Sequence, residues 1–465
     1  MIEKKSAKKT SSKRNELRKI DNNHVWHPFT RMLEWDNSET LIIEKALGNY
    51  LIDTEGNKYL DATSSLWVTV HGHRRPEIDR AVKAQLGRVA HSTLLGLGGV
   101  SSIELARELI KVTPKGLDRI FFSDNGSTAV EAALKIAYHF QQTKDKTKKP
   151  RKLKFIAFTG AYHGDTVGAM SVGEIDKFVA RYNPLIFKAH RAPYAYCYRC
   201  PVKATYPECK LKCLMKLEAI LKKNPDNIAA IIIEPLVQGA AGMITSPPGF
   251  LKGVARLAKR YKALLIADEV ATGFGRTGTL FACKAEDVVP DILCIAKGLT
   301  GGYLPLAATI TNERIYKSFL GTKKNPDAFY HGHTYTGNPL GCEAAKANLE
   351  IFHREDTIKK IQPKIELLAE LLVPLRELKH VGDIRQRGLM AGVEVVMEKD
   401  SKKSYPSSRR IGERICKEAE KYGVLTRPLM DTIVILPPLS IRKTELKRIV
   451  EAIRSSIITI TEGRA

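Results

Sequence analysis

The chain lacks any apolar run long enough to cross a bilayer. Its most continuous one, Ile228–Val237, is interrupted by Glu234-Pro235, which suits a buried strand rather than a span of about 20 residues. The start is lysine-rich and has no apolar core, which argues against a secretory leader and for a cytoplasmic protein without a membrane partner. Acidic residues are in short supply: 50 Asp and Glu stand against 75 Lys and Arg, for a net charge of +25. Such an excess can serve a polyanion. Aromatics make up only 7% of the chain, however, and are not interleaved with the basic residues. No base-stacking surface is therefore expected, and no nucleic-acid partner. The plainer reading is a lysine-rich, solvated surface. Its densest stretch, residues 3–19, makes residues 1–19 an expected flexible tail. Internal repeats are absent as well.

What the chain does have is length and alternation. At 465 residues it exceeds a single small core, so two domains are expected. From about residue 100 to 350, strand patterns alternate with helix patterns. Strands are read at Arg119–Ser123, Lys154–Thr159, Ile228–Glu234, 263–267 and 291–296; helices are read at Ile103–Val112, Thr128–Phe140 and Phe250–Tyr261. This predicts an α/β fold with a mostly parallel sheet, whose ligands sit beyond the carboxyl ends of the strands. Polar linkers are read at Lys144–Lys152 and Lys323–Asp327. Residues 41–62 read as a β-meander, and residues 355–465 mix helices with short strands such as Gly392–Met397 and Ile433–Leu436. The expected organisation is a large domain over 71–350 and a smaller α+β domain built from 20–70 and 351–465.

Two strands end in chemistry. Leu264–Val270 reads LLIADEV and closes on Asp268; Pro290–Gly298 closes on Lys297. An amine and an acid at one sheet edge suit pyridoxal phosphate: the lysine forms a Schiff base, and the carboxylate holds the ring nitrogen protonated. Glu269 competes with Asp268, but its side chain should face the other way, whereas Val270 shares the Asp268 side and can pack under a flat ring. Ser123–Thr128 joins a strand to a helix, so Gly126 and Ser127 can offer amides to a phosphate, although an ordinary helix cap reads the same. Tyr162 can stack on a ring or simply anchor its turn. Thr334 lies in a Gly- and hydroxyl-rich loop and can meet a phosphate. Arg427 can clamp a carboxylate or be a surface residue. The pairs His71/His73 and His331/His333 lack acidic or thiol partners that would suggest a metal. Cys197, Cys200, Cys209 and Cys213 could hold a structural zinc or be reduced thiols on an excursion. No metal ligand is assigned. Cys283, Cys294, Cys342 and Cys416 sit in apolar contexts and are expected in the core.

Together the block Asp268–Gly278 and Lys297 resemble the signature of class III, fold-type I pyridoxal-phosphate aminotransferases, over nearly the whole chain from residue 20. The stretches His24–Thr30, Ala161–Thr166 and His331–Thr334 resemble the branch that transaminates 8-amino-7-oxononanoate in biotin biosynthesis. The resemblance implies that Lys297 carries the cofactor and moves protons, and that Asp268 pairs with the ring nitrogen. Gly126 and Ser127 would hold the phosphate, joined by His333 and Thr334 across a homodimer interface. Tyr162 would stack on the ring; Gly332 would touch substrate and Arg427 its carboxylate. Two departures fall in the substrate wall. Phe29 stands where the family often has Tyr, and Leu66-Trp67 stands where it often has two tryptophans. They leave the amino donor open between S-adenosylmethionine and lysine, with another ω-amino acid as a further alternative.

Overall fold

The computed structural model describes residues 2–38, 40–143, 153–322 and 328–463, with side chains from residue 13 onward. The linkers read at Lys144–Lys152 and Lys323–Asp327 lie outside the described residues. Seven strands form the central sheet: β1 (Arg119–Ser123), β2 (Lys154–Phe158), β3 (His190–Ala192), β4 (Ile228–Ile233), β5 (Leu264–Asp268), β6 (Ile292–Ile295) and β7 (Ala307–Thr311). Their order across the sheet is β1-β7-β6-β5-β4-β2-β3. β7 runs antiparallel between β6 and β1, and the remaining pairings are parallel. Every residue of β4, β5, β6 and β7 is buried. Strands covered on both faces carry no polar alternation, which is why their sequences read as continuous apolar runs.

Helix Gly126–Thr143 crosses this sheet, against β4, β6 and β7. It buries Ala129, Val130, Ala133, Leu134, Ala137 and Phe140, a three-and-four spacing that makes one apolar stripe. The small residues at 129, 133 and 137 let its backbone approach closely, and Thr309 on β7 donates to the Ala129 carbonyl at 2.7 Å. The helix start is thereby fixed above the carboxyl end of β1.

The two ends of the chain meet in one sheet. Strands Ile43–Leu47, Tyr50–Asp53 and Lys58–Asp61 form the expected meander, and Val424–Leu425 adds a parallel edge with Val424 opposite Leu60. A second, antiparallel sheet comprises Val381–Arg387, Met390–Val395, Thr432–Ile435 and Pro428–Leu429. Where a flexible tail is expected, a helix spans Ile2–His24. Contacts with the meander and the segment leading to it account for the difference at its C-terminal half: Lys13 pairs with Glu44, Arg14 with Glu55 at 2.9 Å, and Arg18 donates to the Ser38 carbonyl. Cys283, Cys294, Cys342 and Cys416 are buried, as expected. Among the described residues no helix is long and apolar enough to cross a membrane.

Candidate active site

β5 and β6 deliver the acid and the amine to the same edge. Asp268 closes β5 and is buried. His163 donates from Nδ1 to Asp268 Oδ2 at 2.6 Å, and the Val270 amide donates to Oδ1 at 3.1 Å. Glu269 turns to the opposite side, where the amides of Ala282 and Cys283 donate to it at 2.6 and 2.8 Å. Burial raises the Glu269 carboxyl to about 7.

Lys297 follows β6 at φ +46° and starts a short turn, Lys297–Thr300. Asn348 holds that turn by donating to the Gly298 and Leu299 carbonyls at 3.0 Å each. The Lys297 ammonium lies 4.7 Å from the centre of a Trp67 ring. Burial pulls it below the usual lysine range, against the opposing pull of Asp268 and Glu234. The shift enlarges the neutral, nucleophilic fraction of the amine.

Trp67 is held by an unusual turn. Ser64, Ser65 and Trp67 have φ of +51°, +60° and +65°. Asp61 accepts from the Ser65 amide at 2.7 Å and its hydroxyl at 2.9 Å. The buried Arg276 donates to Ser64 Oγ at 3.1 Å, the Thr69 carbonyl at 2.8 Å and the Pro437 carbonyl at 2.9 Å. Gly239 backs onto the Trp67 ring so closely that a Cβ there would lie 2.9 Å from it. Leu66, next along, is exposed.

On the other flank, Asn125 caps helix Gly126–Thr143: its Oδ1 accepts from the Thr128 amide at 3.2 Å. This leaves the amides of Gly126 and Ser127 leading the helix, where an anion is favoured. A Cβ on Gly126 would sit 2.6 Å from Val270 Cγ1, so the backbone there lies directly against Val270. Ser127 Oγ accepts from the Asp165 amide at 3.1 Å. Tyr162 donates its amide to Glu234 at 3.1 Å and its hydroxyl to Asp165 at 2.7 Å. Glu234 also accepts from the Gly239 amide at 2.9 Å, and burial raises its carboxyl to about 7. Phe178 connects Tyr162, at 5.9 Å between ring centres, to Phe29, at 5.2 Å.

The remaining expected residues stand at the rim. His333 Nδ1 lies 3.0 Å from Asp124 Oδ2, while Gly332 and Thr334 are exposed. Arg427 is exposed too, and among the described residues no carboxylate pairs with it. The structure thus gathers Asp268, Lys297, Trp67, Tyr162, Gly126, Ser127 and Val270 around one edge, brings Phe29 to its Tyr162 side, and leaves Leu66, Gly332, Thr334 and Arg427 open to solvent. Three residues are added that sequence reasoning gave no role: His163, Glu234 and Arg276. Glu234 ends a strand and was visible as such. His163 and Arg276 act on partners far along the chain, which no local pattern reveals.

The donor set fits pyridoxal phosphate. Trp67 Nε1, Ser123 Oγ, Asp124 Oδ1, His163 Nε2 and Gln238 Oε1 are buried without hydrogen-bond partners among the described residues, and all lie on segments that border the Asp268–Lys297 edge. A ring bearing a hydroxyl, a nitrogen and a phosphate brings groups of the matching kinds.

Comparison with known proteins shows the family. The family model described as aminotransferase class-III matches residues 33–457. The adenosylmethionine-8-amino-7-oxononanoate aminotransferase of Nitratidesulfovibrio vulgaris is 52% identical over 98% of this chain and 84% of its own length. The Aquifex aeolicus protein of the same name is 48% identical over 95% and 97%. Among solved structures, the Methanocaldococcus jannaschii protein of that name superposes with a TM-score of 0.91 at 45% identity, covering 96% of this chain and 99% of that one. An (S)-enantioselective omega-transaminase from Thermomicrobium roseum also reaches 0.91, at 33% identity, covering 96% of this chain and 98% of that one.

Proposed function

The chain belongs to the class-III aminotransferases, which depend on pyridoxal phosphate, and on that footing we propose that it aminates 8-amino-7-oxononanoate to 7,8-diaminononanoate with S-adenosylmethionine as donor. The observation that carries this reading is 52% identity, over 98% of the chain, to a relative bearing that activity in its name. The protein works as a cytoplasmic homodimer.

When bound, pyridoxal phosphate supplies the electron sink that makes an amine-bearing carbon acidic. Everything else comes from the chain. Lys297 is the amine that would hold the cofactor and carry the proton at the reacting carbon; its burial favours the free base. Asp268, oriented by His163 Nδ1 at 2.6 Å, would pair with the ring nitrogen. The Gly126 and Ser127 amides would receive the phosphate, with His333 and Thr334 contributed from a second subunit. Trp67 and Tyr162 bound the reacting centre: Arg276 fixes the turn that carries Trp67 through Ser64 and Thr69, and Glu234 holds the Tyr162 amide. Phe29 and Leu66 line the approach with Gly332, and Arg427 receives the carboxylate of the keto substrate.

Lysine as donor is the second reading, favoured by the exposed Leu66 beside the buried Trp67 at the substrate wall. The deciding assay supplies 8-amino-7-oxononanoate with S-adenosylmethionine, lysine or a panel of ω-amino acids and follows the diamine by mass spectrometry. S-adenosylmethionine should exceed lysine at least tenfold, and Lys297→Ala should lose both the product and the visible band of the lysine-bound cofactor. Product from none of these donors would refute the assignment.

A further inference from the structure

Four cysteines outside the active site converge on one place. Cys197, Cys200, Cys209 and Cys213 line a single small cavity, together with apolar side chains such as Val202 and Leu211, with Cys197 on its exposed side. Its free space is about 10 Å³, room for roughly one atom. All four are free thiols. They fall into two close pairs, C-x2-C and C-x3-C. The first pair lies in a turn, and the Ala204 amide donates to Cys200 Sγ at 3.4 Å. The second pair ends on Cys213, the first residue of helix Cys213–Lys223. A turn carrying two sulfurs set against a helix start carrying two more is a recurrent way to build a tetrahedral four-thiolate site. The Ala204 amide already meets one of these sulfurs, and four thiolates are a donor set that zinc takes.

The same excursion grips the C-terminal sheet. Arg199 pairs with Glu394 at 2.7 Å, and the Tyr196 hydroxyl donates to the same carboxylate. Arg385 donates to Tyr196 Oη at 2.8 Å, and Lys402 to the Tyr198 carbonyl at 2.7 Å. Arg385 also donates to the Gly242 carbonyl at 2.8 Å, in the loop whose Gly239 backs Trp67. The two ends of the excursion are anchored in the core through Tyr194, Ala195 and Cys213, and one ion at its centre would fix the residues between them that make these contacts.

We propose that Cys197, Cys200, Cys209 and Cys213 bind one structural zinc ion as thiolates, releasing their protons on binding, and that the closed cluster clasps residues 194–213 onto the sheet containing Glu394. Among the described residues no three ligating side chains already stand at metal distance. The ion therefore draws the sulfurs inward onto the cavity, toward Zn–S distances of about 2.3 Å. That adjustment falls on a surface excursion and not on the central sheet.

Elemental analysis of the full-length protein, purified reduced and without chelator, should find one zinc per chain. Cobalt substitution should give the visible bands of a tetrahedral thiolate site. Cys200→Ser combined with Cys209→Ser should lose the zinc and lower the Tm by several degrees, with kcat and the visible cofactor band nearly unchanged. If that variant does not fold, the metal content of the parent protein still decides. Less than about a tenth of an equivalent of zinc, with no uptake when the reduced protein is titrated with zinc, overturns the proposal. So does a double variant that keeps its zinc.

Discussion

At the scale of single residues, the site depends on close approaches as much as on charges. Gly126 is the clearest case, because a methyl there would meet Val270 Cγ1 at 2.6 Å. Gly126→Ala should push the helix start off Val270, weaken cofactor binding about tenfold, and leave the fold intact. Dialysis followed by cofactor titration measures this. Adding Val270→Ala should restore much of the affinity, and no rescue would mean that the loss does not arise from that contact. Glu269 gives a prediction of a different kind. Its carboxyl titrates near 7 in the folded chain against 4.5 unfolded, because burial disfavours the anion. A raised carboxyl pKa stabilises the fold fully below 4.5, and that stabilisation is lost as pH rises through about 7. The amount is at most about 3 kcal/mol. Melting curves of the parent and Glu269→Gln should therefore diverge with pH, the variant gaining relative stability between pH 5 and pH 8. A constant difference would show that Glu269 is ionised throughout.

At the scale of elements, the strands were legible wherever burial on both faces wrote itself as an apolar run: β4, β5 and β6 lie within a residue or two of where the sequence placed them. The strand β7 was not read. Its sequence, AATIT, is short and small, and its place between β6 and β1 depends on non-local pairing. The Ser64–Trp67 turn escaped for a related reason. Left-handed conformations at Ser64, Ser65 and Trp67 are unfavourable for non-glycine residues, and no regular pattern in the sequence announces them. Asp61, just ahead of the turn, holds Ser65, and Arg276 holds Ser64 and Thr69 from across the molecule. The proposed catalytic pair was legible because Asp268 closes β5 and Lys297 directly follows β6, whereas His163 was not, since it meets Asp268 through the fold. Arg276→Lys should remove the fork that ties Ser64, Thr69 and Pro437 together. A single ammonium cannot serve three acceptors in that geometry. We expect a stability loss of about 3 kcal/mol and a fall in kcat larger than any change in cofactor affinity, read by denaturant melts and by kinetics at saturating cofactor. An unchanged kcat in a destabilised variant would separate the turn from catalysis.

At the scale of the whole molecule, the chain closes on itself. Val424–Leu425 pairs with Lys58–Asp61, Asn49 donates to Glu445 at 2.8 Å, and Arg276 reaches Pro437, so the amino-terminal meander and the carboxyl-terminal segments form one support for Trp67. The rim residues are not so supported. Thr334 and Gly332 are exposed, on either side of His333, which meets Asp124 of its own chain; in the proposed dimer each subunit would present its Thr334 to the partner's phosphate site. Subunit mixing tests this directly. Lys297→Ala inactivates the site of its own chain, and Thr334→Arg inactivates whichever site Thr334 serves. If Thr334 serves the partner, a mixed dimer has one intact site: the lysine comes from the Thr334→Arg chain and the threonine from the Lys297→Ala chain. Equal mixing makes about half the dimers mixed, each with half its sites alive, so two inactive preparations should recover about a quarter of the parent activity after dissociation and reassociation. If Thr334 serves its own chain, both sites of the mixed dimer are dead and no activity returns, which would place the phosphate site within a single subunit.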